Sequence, residues 1–150
     1  MEESNIFVEI AKTVYDQLGP GHSESSYHKA YNAELNAQGY SSTCERNIVV
    51  TYTDSNNNTH FLNSERIDVF IHKNEEKNIG NIIIELKAIN RTIGNSEITQ
   101  LKKYQRQLKK ENIDYEYGLV INFPPCMNSK GVESVKLDWT YWNRDWTNCW

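Results

Sequence analysis

The sequence predicts a single α/β domain in which a mixed central sheet is flanked by helices, and three observations predict it. Apolar residues recur at helical spacing in the first part of the chain. An aliphatic run, Ile82-Ile83-Ile84, follows two segments rich in β-branched and aromatic residues, as a central strand follows its neighbours. Strand-like and helical segments then alternate to the end of an order of two helices, three strands, one helix and two strands. With 150 residues and 38% hydrophobic content the chain can bury one continuous core, and residues 1–150 hold no internal repeat, linker or low-complexity segment to divide it.

Ile6, Ile10, Val14 and Leu18, with Phe7 and Ala11 beside them, lie on one helical face, and Leu18-Gly19-Pro20-Gly21 stops the helix. A second helix starts near Ser23, turns Tyr27, Ala30, Tyr31 and Leu35 inward, and ends at Gly39. Asn47 to Thr53 is the first strand, and the polar run Asp54-Ser55-Asn56-Asn57-Asn58 is a hairpin turn into a strand that continues to Ile71. Lys73 to Asn78 is another polar turn, followed by Ile82-Ile83-Ile84-Glu85-Leu86-Lys87, a central strand whose last residues turn charged. A helix from about Asn95 to Lys110 buries Ile98, Leu101, Tyr104 and Leu108, and Tyr115 to Ile121 returns to the sheet interior. Val135, Leu137, Trp139 and Tyr141 alternate with Ser134, Lys136, Asp138 and Thr140, the period of a half-buried final strand.

A net charge of -4 and a pI near 5.6 exclude a protein that coats nucleic acid through bulk positive charge, so any such contact must be local. Cys44, Cys126 and Cys149 are widely separated and form no Cys-x-x-Cys pair for zinc or an iron–sulfur cluster, so they read as reduced structural thiols. Residues 1–20 lack a basic region followed by an apolar run, so neither a signal peptide nor a membrane span is expected, and the expected location is cytoplasmic. His22, His28, His60 and His72 show no ligand spacing and are assigned no role.

The chemistry concentrates at the end of the aliphatic strand. Side chains at i and i+2 of a strand share a face, so Glu85 and Lys87 point one way while Ile84 and Leu86 point into the opposite layer. On the preceding strand Asp68 is flanked by Ile67 and Val69, which is expected to place it on the face opposite both. If the two strands pair, the three charged groups converge. Two carboxylates with open positions suit a hard cation that keeps several waters, and the Leu86 carbonyl is a further candidate ligand. Such an ion lowers the pKa of bound water, and Lys87 can orient that water or offset charge growing on phosphate. Charged residues at strand ends more commonly make solvated salt bridges. Here, however, the apolar run before Glu85 implies buried surroundings.

Gly21-His22-Ser23-Glu24-Ser25-Ser26-Tyr27, after Leu18-Gly19-Pro20, resembles the Gly-x-x-Glu-x-x-Tyr pattern of the GxxExxY family within the PD-(D/E)XK nuclease superfamily. Arg66-Ile67-Asp68-Val69-Phe70 resembles its second nuclease motif and Ile84-Glu85-Leu86-Lys87-Ala88 its third. Gln100-Leu101-Lys102-Lys103-Tyr104 is similar to the Gln-x-x-x-Tyr of RecB-type nucleases, and Val120-Ile121-Asn122-Phe123 to the closing strand. Together these cover roughly residues 5 to 142. The resemblance implies a restriction-endonuclease-like αβββαβ core with an extra N-terminal helix and a C-terminal strand. It implies that Asp68 and Glu85 bind Mg²⁺ or Mn²⁺, that Lys87 assists the water, that Glu24 approaches from the early helix, and that Gln100 and Tyr104 sit near the site. Independently of family, positions 100 and 104 share a helical face. The ordinary alternatives are core packing for Tyr104 and a dipole-favoured first-turn charge for Glu24. The chain departs from the pattern ahead of Asp68, where members usually carry glycine and Asn63-Ser64-Glu65 stands here, which bears on strand entry and substrate approach.

Lys102, Lys103, Arg106, Lys109 and Lys110 gather positive charge on the helix of Gln100, either to track phosphates, with Lys102, Lys103 and Arg106 as contacts, or as a solvated face. Trp139, Trp142, Trp146 and Trp150 close the chain and are expected to cover the sheet, with a homodimer contact or base stacking as the alternatives. The expectation is a metal-dependent nuclease acting on DNA ahead of RNA, with no membrane partner. A nuclease-fold module that binds nucleic acid or a protein without cutting is the alternative, because folds outlive their chemistry.

Overall fold

A computed structural model of the chain describes residues 5–126 and 131–138. Helices α1 (Ile6–Leu18) and α2 (Glu24–Ala37) are followed by strands β1 (Ser42–Thr53), β2 (Thr59–Ile71) and β3 (Ile82–Lys87). Helix α3 (Asn95–Lys110) and strands β4 (Tyr117–Asn122) and β5 (Glu133–Asp138) complete the order.

The helix ends follow local rules. Asn5 Oδ1 accepts the Phe7 N–H at 2.9 Å to start α1, and Ser23 Oγ accepts the Ser26 N–H at 3.1 Å to start α2. Gly39, at φ 86°, closes α2, with the Tyr40 N–H donating to Leu35 O and the Gly39 N–H to Asn36 O, each at 3.0 Å. That is a Schellman ending, which needs a left-handed residue at Gly39.

The sheet order is β1-β2-β3-β4-β5, antiparallel throughout except for the parallel pair β3 and β4, which α3 connects. One face carries Val69, Ile71, Ile84, Leu86, Leu119 and Ile121 against Phe7, Ile10, Tyr31 and Leu35 of α1 and α2. The other carries Phe70, Ile83 and Val120 against Leu101, Tyr104 and Leu108 of α3. Both faces of β3 are therefore covered, which is why its apolar run is continuous rather than alternating.

Two strand boundaries differ from expectation for physical reasons. The first strand begins at Ser42 rather than Asn47, because polar residues 42–46 pair with the buried end of β2, Ser42 opposite Ile71, and the partner imposes the conformation. The fourth begins at Tyr117 rather than Tyr115, since the Glu116 N–H donates to Asn81 O at 2.7 Å ahead of the ladder. Ile98 is half-buried, while Glu97, Gln105 and Gln107 fill buried positions of α3. The alternation of the last strand holds over Ser134 to Asp138, with Leu137 buried, whereas Trp139, Thr140, Tyr141, Trp142, Trp146, Cys149 and Trp150 lie outside the described residues.

Candidate active site

β2 and β3 pair only from Val69 with Ile84 to Ile71 with Ile82, so the next rung would bring Asp68 opposite Glu85. The backbone ladder stops there and the two carboxylates replace it. Asp68 Oδ2 accepts the Leu86 N–H at 2.9 Å, and Glu85 Oε1 accepts the Asp68 N–H at 3.2 Å. Each acid thus satisfies an amide that the parted strands leave without a ladder partner. The Asp68 carboxyl also lies close enough to that of Glu85 for its charge to bear on it.

The parting has a cause in β1. Register runs from Cys44 with Val69 to Arg46 with Ile67 and skips the rung between, where Glu45 adopts φ 54°. A left-handed non-glycine residue there breaks the pleat opposite Asp68. Ile67 consequently packs on the α3 side and Val69 on the α1–α2 side. This corrects the expectation that Asp68 lies opposite both aliphatic neighbours: strand parity fails at this residue. For β3 parity holds, with Ile84 and Leu86 in the α1–α2 layer.

Glu85 is 1% exposed while Asp68 and Lys87 are half-buried, so the acids differ sharply in their access to water. Burial is the main reason that the Glu85 carboxyl is raised from 4.5 to about 9, with the charge of Asp68 adding to it and the Asp68 N–H and the Lys87 ammonium opposing it. Glu24, at the exposed N-terminus of α2, is raised by partial loss of water, with Lys87 lowering it and Asp68 raising it, and its carboxylate is hydrogen-bonded by the backbone of Ala88. α2, β2 and β3 therefore meet at one spot. On the α3 side the Gln100 amide donates to the Tyr104 hydroxyl at 2.8 Å. Tyr104 is buried, and burial followed by the charge of Glu85 drives its pKa upward.

The donor set is two carboxylate side chains and one carbonyl. In a strand the N–H and C=O of a residue point to the same side, so the Leu86 carbonyl faces the gap into which its N–H donates. These oxygens fit a hard divalent cation that fills its remaining positions with water and substrate. Among the described residues no group of three His, Cys, Asp or Glu side chains is gathered to enclose an ion by itself.

Two supports escaped sequence reasoning. Asn122, buried at the end of β4, accepts the Ile89 N–H at 2.8 Å and donates to Ile89 O at 3.1 Å, fixing the backbone just after Lys87. A polar residue closing the apolar run Leu119-Val120-Ile121 was its signal. Glu97 accepts from Arg91 at 2.6 and 3.0 Å and from the Gly94 N–H at 3.0 Å, pinning the β3–α3 loop, and this pairing lowers it to about 2. Of the basic run on α3, Lys102 is 6% exposed, unlike a residue of a solvated face, and Lys103 is paired with Glu65.

Among the described residues no helix is long and apolar enough to cross a membrane. Comparison with known proteins gives three findings. A family model described as the PD-(D/E)XK nuclease superfamily matches residues 1–135. The solved structure titled "Crystal structure of SSO0001" is similar over 91% of this chain and 79% of that chain, with a TM-score of 0.50 and 13% identity, a likeness of fold alone. No curated protein matches.

Proposed function

The chain belongs to the PD-(D/E)XK nuclease superfamily, its five-stranded mixed sheet and three helices forming that restriction-endonuclease-like core, and on that premise we propose that it is a divalent-metal-dependent nuclease of the GxxExxY branch hydrolysing phosphodiester bonds in DNA. The observation that carries the reading is the replacement of one sheet rung by the carboxyls of Asp68 and Glu85 beside Lys87. Burying the Glu85 carboxyl beside a second acid is costly unless something positive is to be held there.

Asp68, Glu85 and the Leu86 carbonyl would hold Mg²⁺ or Mn²⁺, which when bound supplies a Lewis acid that lowers the pKa of coordinated water. Lys87 shares the face of Glu85, and its ammonium orients the attacking water and offsets charge gathering on the phosphate oxygens. Glu24, itself held by the Ala88 backbone, faces that ammonium from the α2 side. Tyr104, its hydroxyl held by Gln100, is buried within reach of the Glu85 charge and supports the acids from the α3 side. Asn122 keeps the backbone after Lys87 in register.

A second reading has one observation in its favour. Glu85 is nearly inaccessible, as suits a nuclease-fold module that binds nucleic acid or a protein without cutting. A cleavage assay on single- and double-stranded DNA and on RNA, with Mg²⁺, Mn²⁺ or EDTA, separates the two. Metal-dependent cleavage abolished by Asp68→Ala and by Lys87→Ala supports the enzyme; binding with no cleavage on any substrate supports the module.

A further inference from the structure

On the α3 side of the sheet, a groove of about 260 Å³ runs between α3 and the β1–β2 hairpin. Its α3 wall carries Lys103, Arg106 and Lys110, one turn apart along a single helix face, and Tyr104. Ile48 and Val50 of β1 form the apolar wall opposite. At a rise of 1.5 Å per residue, Lys103 to Lys110 spans about 10 Å, which matches roughly three phosphates of a stacked single strand. Tyr104, which lines the groove, also feels the charges of Glu85 and Asp68.

Glu65 also lines the groove. One oxygen is paired with Lys103, and the other is buried without a hydrogen-bond partner among the described residues. A carboxylate with an unsatisfied buried oxygen is a poor structural choice, since such an atom carries a desolvation cost. It is a reasonable stand-in for a phosphate oxygen, because it holds Lys103 extended into the groove. The lining nonetheless keeps more positive than negative side chains, in a chain whose net charge is -4.

We propose that this groove is the track of a single strand of nucleic acid, with phosphates on Lys103, Arg106 and Lys110 and a base against the half-buried Val50, and that Glu65 competes with the phosphate for Lys103. The direction of the track rests on the nuclease reading, whereas its occupancy does not. An apolar wall facing a row of cations suits bases splayed from a tracked backbone. Lys102, buried beneath this face, does not line the groove, and Lys110 takes its place in the set proposed to contact phosphate.

The test is fluorescence anisotropy of the full-length protein in EDTA, so that nothing is cut, with a labelled oligothymidylate and with a duplex of equal length. The single strand should bind at least tenfold more tightly than the duplex. Arg106→Glu and Lys110→Glu should each weaken single-strand binding at least fivefold and lower the slope of log affinity against log salt by about 0.7, the value for one phosphate of a single strand. Glu65→Gln should act in the opposite sense, tightening binding at least threefold. Lys110→Gln, at an exposed last-turn position, repeats the test with less effect on the helix, and unchanged thermal melts certify each variant. Equal affinity for duplex, charge reversals without effect, or a folded Glu65→Gln that binds more weakly would overturn the proposal. Single-strand binding with no cleavage in Mg²⁺ or Mn²⁺ would remove the nuclease reading and leave this one standing.

Discussion

Replacing Glu85 with glutamine keeps the shape of the side chain and removes the buried acid, and the consequence can be worked from linkage. In the metal-free fold the Glu85 carboxyl is raised from 4.5 to about 9, first by burial and then by Asp68. Between those values the folded chain holds a proton on this group that the unfolded chain has lost. Stability therefore falls as pH rises through that window, by about 1.4 kcal/mol for each pH unit and one proton. Glu24 is raised as well, so the informative quantity is the difference between wild type and Glu85→Gln at each pH. Urea unfolding in EDTA at pH 6, 7 and 8 should show the variant gaining on wild type by about 3 kcal/mol across the range, an upper figure because local opening lets the acid ionise early. Saturating Mn²⁺ should remove the slope in wild type and leave the variant unchanged. Parallel stability curves for the two proteins would refute the claim that a buried proton sits where the cation is to bind.

Asp68→Ala and Lys87→Ala should each lower cleavage by roughly 10²-fold or more, the scale of losing one group that stabilises transition-state charge, while an unfolding titration shows the fold retained. Gly118→Ala should destabilise by about 1–3 kcal/mol, because its Cβ would meet Leu101 side-chain atoms at 2.9 and 3.0 Å and push α3 off the sheet; an unshifted thermal melt would contradict that packing. Glu97, held at about 2 by Arg91 and Ser96, contributes stability that is present above its ordinary 4.5 and lost as pH falls toward 2. Glu97→Gln should therefore be less stable than wild type at pH 6 and approach it near pH 2, measured by chemical denaturation. Tyr104→Phe should reduce cleavage by tenfold or so without changing single-strand affinity, a split read by single-turnover kinetics beside anisotropy.

Much of this architecture could be read from the chain because local and long-range preferences agree. α3 runs from Asn95 to Lys110, as its i, i+3, i+4 apolar spacing dictates, and the Asp54–Asn58 turn sits between the two hairpin strands. β3 was legible because a parallel strand covered on both faces must be apolar throughout. Illegible features were those that depend on a partner. Residues 42–46 have no strand pattern of their own, and the failure of parity at Asp68 originates in the conformation of Glu45, across the sheet. The burial of Lys102 within a basic run and the grip of Glu97 on Arg91 are likewise set by tertiary neighbours, which a charge count cannot reveal.

The parted rung also explains why the acids occupy a strand rather than a loop. A loop carboxylate would meet water and keep its ordinary pKa, at no cost to the fold and with little attraction for a cation beyond that of any surface acid. Placed at the mouth of two diverging strands, Asp68 Oδ2 and Glu85 Oε1 are each steered by a backbone amide. The amide bonds orient the side chains before any ligand arrives, so little rotamer entropy remains to be lost on binding. Both carboxyls lie at the gap where the ladder stops, and the Leu86 carbonyl is turned to the same space. A divalent cation entering there displaces a proton instead of unmaking the sheet, so metal affinity should rise about tenfold per pH unit until Glu85 has titrated. The same lever makes the site a source of instability when empty, which is the ordinary relation between a prepared catalytic group and the fold that holds it.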